Sequence, residues 1–369
     1  YGETDYEDAL IELFRDTLGY EHVYGPDVTR DYRDPLYEEE LKAAVARLNP
    51  NLPQAALDEA LHKLKNFESG PLVKENEQFM EYLQNGISVN YFDEQGRGEN
   101  DSGQRSALVS LVDYKNVERN RFIICNQWTV LENSEKRPDM VVFLNGLPVV
   151  VIELKSPSRE ETDASEGYLQ LRNYMQQIPS LFIYNAFLVI SDQANSKAGT
   201  ITAGEDRFME WKTKDGSYEN TQYAQFDTFF EGMFGRARLL DIIRNFICFS
   251  GEKKILGAYH QYFAVKKAIE STLTATGGDG RGGVFWHTQG SGKSLSMIFY
   301  AHLLQEALNS PTIVVLTDRN DLDNQLFTQF AKCAHFLRQK PEQAESRIHL
   351  KKLLAGRQAN GIIFTTAQK

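Results

Sequence analysis

Cysteine is scarce: Cys125, Cys248 and Cys333 are the three in 369 residues, far apart and each inside an apolar segment. An odd count without C-x-x-C spacing excludes a disulfide-stapled scaffold and reads as reduced core thiols. Proline is sparse too, at 11. With no low-complexity tract either, collagen-like and disordered classes drop out. Apolar runs such as VVFL and VVVI fall far short of the roughly 18 residues a membrane-spanning helix needs. The opening YGETDYEDALIEL is acidic where a secretory leader would be basic. A soluble, cytoplasmic chain with no membrane partner is expected. Positive charge is short as well, with 40 Lys and Arg against 51 Asp and Glu, a net charge of −11. This argues against nucleic-acid binding through bulk charge, without excluding local basic grooves. The seven His show no metal-ligand spacing, and no G-x-S-x-G elbow occurs.

What is present is an ordinary globular composition, 41% hydrophobic, in a chain long enough for two or three domains of about 150 residues. It begins without Met and stops at TTAQK inside an α/β pattern, which reads as a piece of a longer protein. Helical spacing runs through TDYEDALIELFRDTL, with Thr4 as the expected N-cap and Gly19 as the stop. It recurs in LYEEELKAAVARLN, QAALDEALHKLKNF and VKENEQFMEYLQNG, a helical excursion before a sheet. The period then changes to short β-branched or aromatic runs, GISVNYFD, SALVSLVDY and RFIICNQWTVL. The loop GRGENDSGQ between the first two reads as mobile. Next come DMVVFLNGLPVVVIELKS, a hairpin pattern around Asn145-Gly146, then helix EGYLQLRNYMQQI and strand NAFLVISD. The aromatic-rich stretch 205–254, helical near RARLLDIIRNFI, reads as a connection. From residue 255 the pattern is strand GGVFWHT, glycine loop, helix, strand TIVVLTD, helix DLDNQLFTQFAKC, strand GIIFTT. Such alternation means a parallel sheet with crossover helices.

Thr288-Gln289-Gly290-Ser291-Gly292-Lys293-Ser294 lies between an apolar run and an amphipathic helix, the context a nucleotide loop requires. Gly290 and Gly292 let backbone N–H groups turn inward on phosphates, toward the positive end of the following helix. Lys293 would reach the β and γ phosphates of ATP, and Ser294 would hold Mg²⁺. His287 stands where the common form of this loop has its first glycine. Trp286, beside it, is expected to pack in the core.

The hairpin carries a second chemistry. Asp139 starts one strand, and Glu153 and Lys155 end the other on one face. A three-residue turn Asn145-Gly146-Leu147 makes paired residues sum to 292, setting Asp139 opposite Glu153. A two-residue turn makes the sum 291 and turns Asp139 toward Ile152. Under the longer turn the two carboxylates, about 5 Å apart at Cβ, repel unless a hard cation such as Mg²⁺ lies between them. Lys155 would add an ammonium near the attacking oxygen or the phosphate, which is the equipment of metal-assisted phosphodiester hydrolysis. A polar-faced edge hairpin with a Glu/Lys pair is the plain alternative. Basic residues cluster at Arg119 to Arg121, Arg236 to Arg238, Lys253-Lys254 and RIHLKKLLAGR. Such pairs commonly form solvated faces, and none is a site candidate.

The loop without its first glycine resembles that of superfamily 2 helicases and translocases, and TDRNDLDNQ and TTAQK resemble their strand-contacting motifs. Gln261 in YHQY matches the adenine-reading glutamine, though alone such a residue is usually solvated. Pro138-Asp139 followed by Glu153-Leu154-Lys155 resembles the P-D…(D/E)-x-K nuclease signature. Gln170 and Tyr174, four apart on one helix, resemble the Q-x-x-x-Y motif of nucleases attached to such motors. Glu7 matches in kind the acidic residue of the first helix, with Glu3 one turn earlier as the other choice. The whole order is similar to the R subunit of type I restriction-modification enzymes. The resemblance implies a PD-(D/E)xK endonuclease domain with a helical insertion and connecting segment over residues 1–250, and a truncated first RecA-like lobe over 251–369. It also implies ATP and Mg²⁺ as cofactors, and double-stranded DNA and the methyltransferase and specificity subunits as partners. The implied activity is translocation coupled to non-sequence-specific cleavage. The alternatives are a superfamily 2 helicase whose N-terminal domain only binds DNA or partners, and a nucleotide-gated assembly module.

Overall fold

The computed structural model describes residues 3–93, 103–155, 164–192, 194–217, 226–357 and 359–368. The loop GRGENDSGQ, apart from Gly103 and Gln104, lies outside them. The chain divides after Arg244 into two compact units. In the first, α1 (Glu3–Glu12) runs into a π-helical turn, Leu13–Thr17, and is followed by β1 (Glu21–Tyr24). Because α1 already begins at Glu3, Thr4 is not its cap. The three expected helices follow as α2 (Glu38–Leu48), α3 (Gln54–Lys65) and α4 (Leu72–Asn85). An antiparallel pair, β2 (Ile87–Phe92) with β3 (Gln104–Val109), stands apart from the main sheet.

The main sheet uses β1, β4 (Phe122–Asn126), β7 (Met140–Leu144), β8 (Leu147–Leu154), β9 (Phe187–Ser191) and β10 (Ser196–Gly199), in that spatial order. Between β4 and β7 lies the small pair β5 (Val130–Leu131) and β6 (Glu135–Lys136). β1 runs parallel to β4 and β8 parallel to β9, while the remaining neighbours are antiparallel. Every residue of β7 and β8 is buried, so the pair reads as continuous apolar runs because both sheet faces are covered. On one face α5 (Ala164–Gln177) and α6 (Pro179–Ile183) supply Leu171, Tyr174, Ile178 and Phe182 to a cluster with Val141, Phe143, Val151 and Trp128. On the other, Phe14 of the α1 segment meets Phe230 and Phe234 of α7 (Phe226–Phe234), and Phe234 meets Phe187.

This last contact corrects the reading of 205–254 as a connection. Phe229, Phe230 and Phe234 are fully buried, and α7 and α8 (Arg236–Asn245) supply core that the sheet could not bury without them.

The turn differs from the one the pairing was expected to need. Leu144 pairs with Leu147 around Asn145-Gly146, a two-residue turn with φ of +52° and +79°, the left-handed geometry that matches strand twist. A β-bulge follows, in which Phe143 pairs with Pro148 but Val142 pairs with Val150, leaving Val149 extra. Beyond it the paired numbers sum to 292, as in Met140 with Ile152. The bulge restores the register that the shorter turn alone would have lost.

The second unit opens with a hairpin, β11 (Ile247–Ser250) and β12 (Lys253–Leu256), then α9 (Tyr259–Thr276). After α10 (Lys293–Ala307) come β13 (Ile313–Thr317), α11 (Asn320–Lys332), α12 (Ala334–Leu337), β14 (Glu342–Gln343), α13 (Arg347–Leu354) and β15 (Ile362–Thr366). The sheet order β13-β15-β14 is wholly parallel, as the alternation requires. GGVFWHT is not a strand. It pairs with no neighbour among the described residues, and Val284 and Trp286 are 93% and 79% exposed, so Trp286 is not a core residue. All three cysteines are free and buried. Among the described residues no helix is long and apolar enough to cross a membrane.

Candidate functional site

Continuing the β7–β8 ladder one step past Met140 and Ile152 sets Asp139 opposite Glu153, on the face that also carries Val141 and Val151 and packs under α5. The pair is tied from both sides. The Leu154 N–H donates to Asp139 Oδ2 at 2.8 Å, and Lys155 Nζ donates to Glu153 Oε1 at 2.7 Å. The Lys155 N–H in turn donates to the Ser191 carbonyl of β9 at 2.8 Å, which fixes where the lysine leaves the sheet. Glu153 is 3% exposed, and its Oε2 has no hydrogen-bond partner. Burial pushes its carboxyl above the ordinary carboxylate range, opposed by the Lys155 charge, by the Lys155 hydrogen bond and by polar contact with Tyr174 and Asp139. Tyr174 lies over this site from α5. Burial and the Glu153 charge hold its hydroxyl protonated, while Gln170, one turn earlier, opposes them through a hydrogen bond.

Those donors suit a small divalent cation. Mg²⁺ is commonly held by one or two carboxylates with the rest of its shell from solvent or substrate. Here two carboxylates meet, one with a buried, unpartnered oxygen and each already oriented by a second contact. Among the described residues no group of three or more His, Cys, Asp and Glu side chains converges as a metal site.

Glu7 stands elsewhere. Its Oε1 accepts from Asn126 Nδ2 at 2.6 Å and its Oε2 from Gln127 Nε2 at 3.4 Å, at the end of β4. Asn126 pairs with Met140, hence on the sheet face opposite Asp139. The contacts of Asn126 and Gln127 were not foreseen. Their one signal is a polar pair directly after an apolar strand. The basic clusters in this unit are largely consumed: Arg119 pairs with Asp113, Arg121 with Glu21 and Glu40, and Arg236 with Glu118.

In the second unit, the glycine loop has Gly290 and Gly292 at φ of +82° and +78°, a conformation that side chains resist. A Cβ on Gly292 would lie 2.6 Å from Gln261 Nε2. Gln261 is buried, accepting from the Ala258 N–H and donating to the Gly292 carbonyl at 3.0 Å, so it braces the loop. His260 Nε2 donates to the Ser291 carbonyl at 3.0 Å. Lys293 Nζ donates to the His287 and Thr288 carbonyls at 3.0 and 2.8 Å. Burial, then His260 and Lys293, keep the His287 ring below its ordinary pKa. Ser291 Oγ and His287 Nδ1 are buried and unpartnered. Gln289 and Gly290 are exposed at the loop tip, and Ser294 follows Lys293 in the first turn of α10. Helix start, inward-turning glycines, a lysine and a hydroxyl together fit a phosphate chain with its magnesium. At the carboxyl ends of the parallel strands, Gln368 donates to the Asp318 carbonyl at 3.0 Å, joining TTAQK to TDRNDLDNQ.

Residues 1–207 match the family described as type I restriction enzyme R protein N terminus, and residues 260–369 match the SWI2/SNF2 ATPase family. The whole chain aligns at 38% identity with the type I restriction enzyme HindI endonuclease subunit of Haemophilus influenzae, covering 36% of that protein. Over 63% of the chain it is 28% identical to the type I restriction enzyme SauMSSORF170P endonuclease subunit of Staphylococcus aureus, covering 24% of it. The chain thus spans about a third or less of the length of these relatives. With a mixed α/β sheet carrying the paired carboxylates and a parallel sheet in a unit that also holds the glycine loop, it belongs to the type I restriction enzyme R protein N-terminal family.

Proposed function

We propose that the chain is the nuclease and ATP-binding part of a type I restriction R subunit, cutting double-stranded DNA without sequence preference while a motor moves the DNA. The first unit would be a PD-(D/E)xK endonuclease domain and the second the first RecA-like lobe of a superfamily 2 translocase. One observation carries the nuclease reading: Asp139 and Glu153 meet across a bulged ladder with the Lys155 ammonium 2.7 Å from one carboxylate. Asp139 and Glu153 hold Mg²⁺, whose chemistry there is to bind a phosphodiester oxygen and acidify water. Lys155 keeps a positive charge beside the scissile phosphate as negative charge grows on it. Tyr174 and Gln170 hold the Glu153 carboxylate in place, and burial under α5 keeps bulk water from screening the pair. Thr288 to Ser294, with Gln261 behind them, cradle the ATP phosphates and their Mg²⁺. In this reading the methyltransferase and specificity subunits are the partners, and the choice of DNA target lies with them.

Lys155→Ala, assembled with its partner subunits, should lower cleavage by about 100-fold or more and leave ATP hydrolysis unchanged. Cutting at the wild-type rate would favour a helicase whose first domain only binds DNA or partners.

A further inference from the structure

We propose that Glu7 serves the carboxylate pair as a positioning residue, acting through the end of β4 and not as a ligand of the divalent cation. The inference rests on the nuclease reading and narrows the part that the first helix plays in it. Both Glu7 oxygens are already taken by amide donors from two consecutive residues, Asn126 at 2.6 Å and Gln127 at 3.4 Å. An ionised acceptor makes the shorter contact a strong one. Asn126 is gripped at its other end, where His22 Nε2 on β1 lies 2.9 Å from its Oδ1. His22, Asn126 and Glu7 form a line of hydrogen bonds from the sheet edge to α1.

That line ends on the catalytic strand. Gln127 is a non-glycine residue at φ +60°, a conformation that persists only when its surroundings impose it. Its main-chain N–H donates to the Asp139 carbonyl at 3.2 Å, so the backbone that presents the Asp139 carboxylate hangs from it. Two close neighbours bear on this residue. One is the Glu7 carboxylate on the Gln127 side chain. The other is Gly25, packed so closely that a Cβ there would lie 2.5 Å from the Gln127 carbonyl oxygen. Asn126 and Glu7 lie on the opposite sheet face from Asp139 and Glu153, and no three-carboxylate cluster forms among the described residues. Among the described residues, Glu7 therefore reaches the cation site by way of Gln127.

Three variants of the chain, Glu7→Gln, Glu7→Ala and Asn126→Ala, separate a ligand from a brace. Calcium titration by calorimetry reads the cation site without turnover, and hydrogen exchange over residues 122–140 reads the Gln127 N–H. Cleavage by the assembled complex over a magnesium series gives rate and half-saturation separately. Glutamine can still accept from Asn126, so Glu7→Gln should keep calcium affinity within about twofold and leave exchange near wild type. Glu7→Ala and Asn126→Ala should speed Gln127 exchange by about tenfold or more and lower the cleavage rate similarly, with magnesium half-saturation unmoved. A loss of calcium affinity of about tenfold in Glu7→Gln, with normal exchange, would make Glu7 a ligand and overturn the proposal. Unchanged Gln127 exchange in Glu7→Ala would overturn it as well. Failure of the underlying nuclease reading looks different: calcium binding indifferent to Asp139→Asn and full cutting by Lys155→Ala would remove both, whatever the exchange data show.

Discussion

Replacing Lys155 by Met keeps most of the aliphatic stem, removes the ammonium, and asks what the buried pair is worth. Lys155 Nζ is 2.7 Å from Glu153 Oε1, with side chains 19% and 3% exposed. Losing one partner of a fully buried pair costs about 3–5 kcal/mol, and the partial exposure of Lys155 reduces this to about 2 kcal/mol where Glu153 is ionised. The cost must depend on pH. Burial already raises the Glu153 carboxyl, and the Lys155 charge is the main opposing influence, so the variant raises it further. A raised carboxyl binds its proton more tightly in the folded state, so folding loses stability as pH climbs through the folded value. The variant's penalty is therefore near zero while Glu153 is protonated in both proteins, and full once it is ionised in both. For a unit of this size the expected drop in melting temperature is about 4–8 °C at pH 8 and smaller at pH 5, as Glu153 takes up its proton. Tryptophan fluorescence isolates the unit: Trp128 and Trp211 are fully buried there, while Trp286 of the second unit is exposed and can be replaced by Phe. Adding Glu153→Gln should recover most of the pH 8 loss. Equal losses at both pH values, or no recovery in the double variant, would show that the lysine acts through its stem and that charge is not what the pair contributes.

Lys293→Ala should weaken ATP binding by about 100-fold or more in a fluorescent-nucleotide titration, since the loop then keeps its N–H groups but no ammonium; retained binding would argue against the phosphate loop. Tyr174→Phe removes a hydrogen bond that favours the ionised Glu153 carboxyl, so the acidic limb of the cleavage profile should move to higher pH by up to about one unit. A limb that stays in place would detach Tyr174 from that carboxylate. Gly146→Ala sets a Cβ at φ +79°, 2.4 Å from the Leu41 nitrogen and 2.7 Å from the Tyr37 carbonyl oxygen. It should cost more than about 2 kcal/mol, read as a lower urea midpoint for the first unit, and no shift would contradict the turn geometry.

Much of the architecture follows from local rules that act on short stretches. The 3.6 period located α2, α3, α4 and α5, and the alternation after residue 290 located the parallel strands β13 and β15 around α11. Where partners decide the outcome, the sequence was silent or misleading. GGVFWHT is as apolar as a strand, yet a strand exists only by pairing, and none of the described residues pairs with it. The 205–254 stretch looked irregular because its phenylalanines answer to a sheet face more than 30 residues earlier, through contacts such as Phe187 with Phe234. Glu7 is similar in kind to an acidic site residue, but only the third dimension shows both of its oxygens bound to β4 amides.

The carboxylate pair illustrates the limit most sharply. Counting from the turn, a two-residue loop should have set Asp139 against Ile152 and dissolved the site, and the turn does have two residues. The register survives because Val149 is an extra residue on β8 that offsets the shorter turn, so that Val142 meets Val150 and the sum returns to 292. Pro148 is the sequence's trace of this: lacking an N–H, it favours an irregular ladder at its position. The Val149 carbonyl accepts from the Ala186 N–H at 2.7 Å as the chain enters β9, so the extra residue is tied to the next strand. Deleting Val149 should therefore leave Asp139 opposite Glu153, because the pairs beyond it are already those of an unbulged two-residue hairpin, while straining the junction with β9. Adding a residue between Val150 and Val151, inside the ladder and beyond the bulge, should do the reverse, moving Glu153 out of register and turning it to the other face. Loss of calcium binding in the insertion and its retention in the deletion would be the outcome that register, and not loop length, dictates.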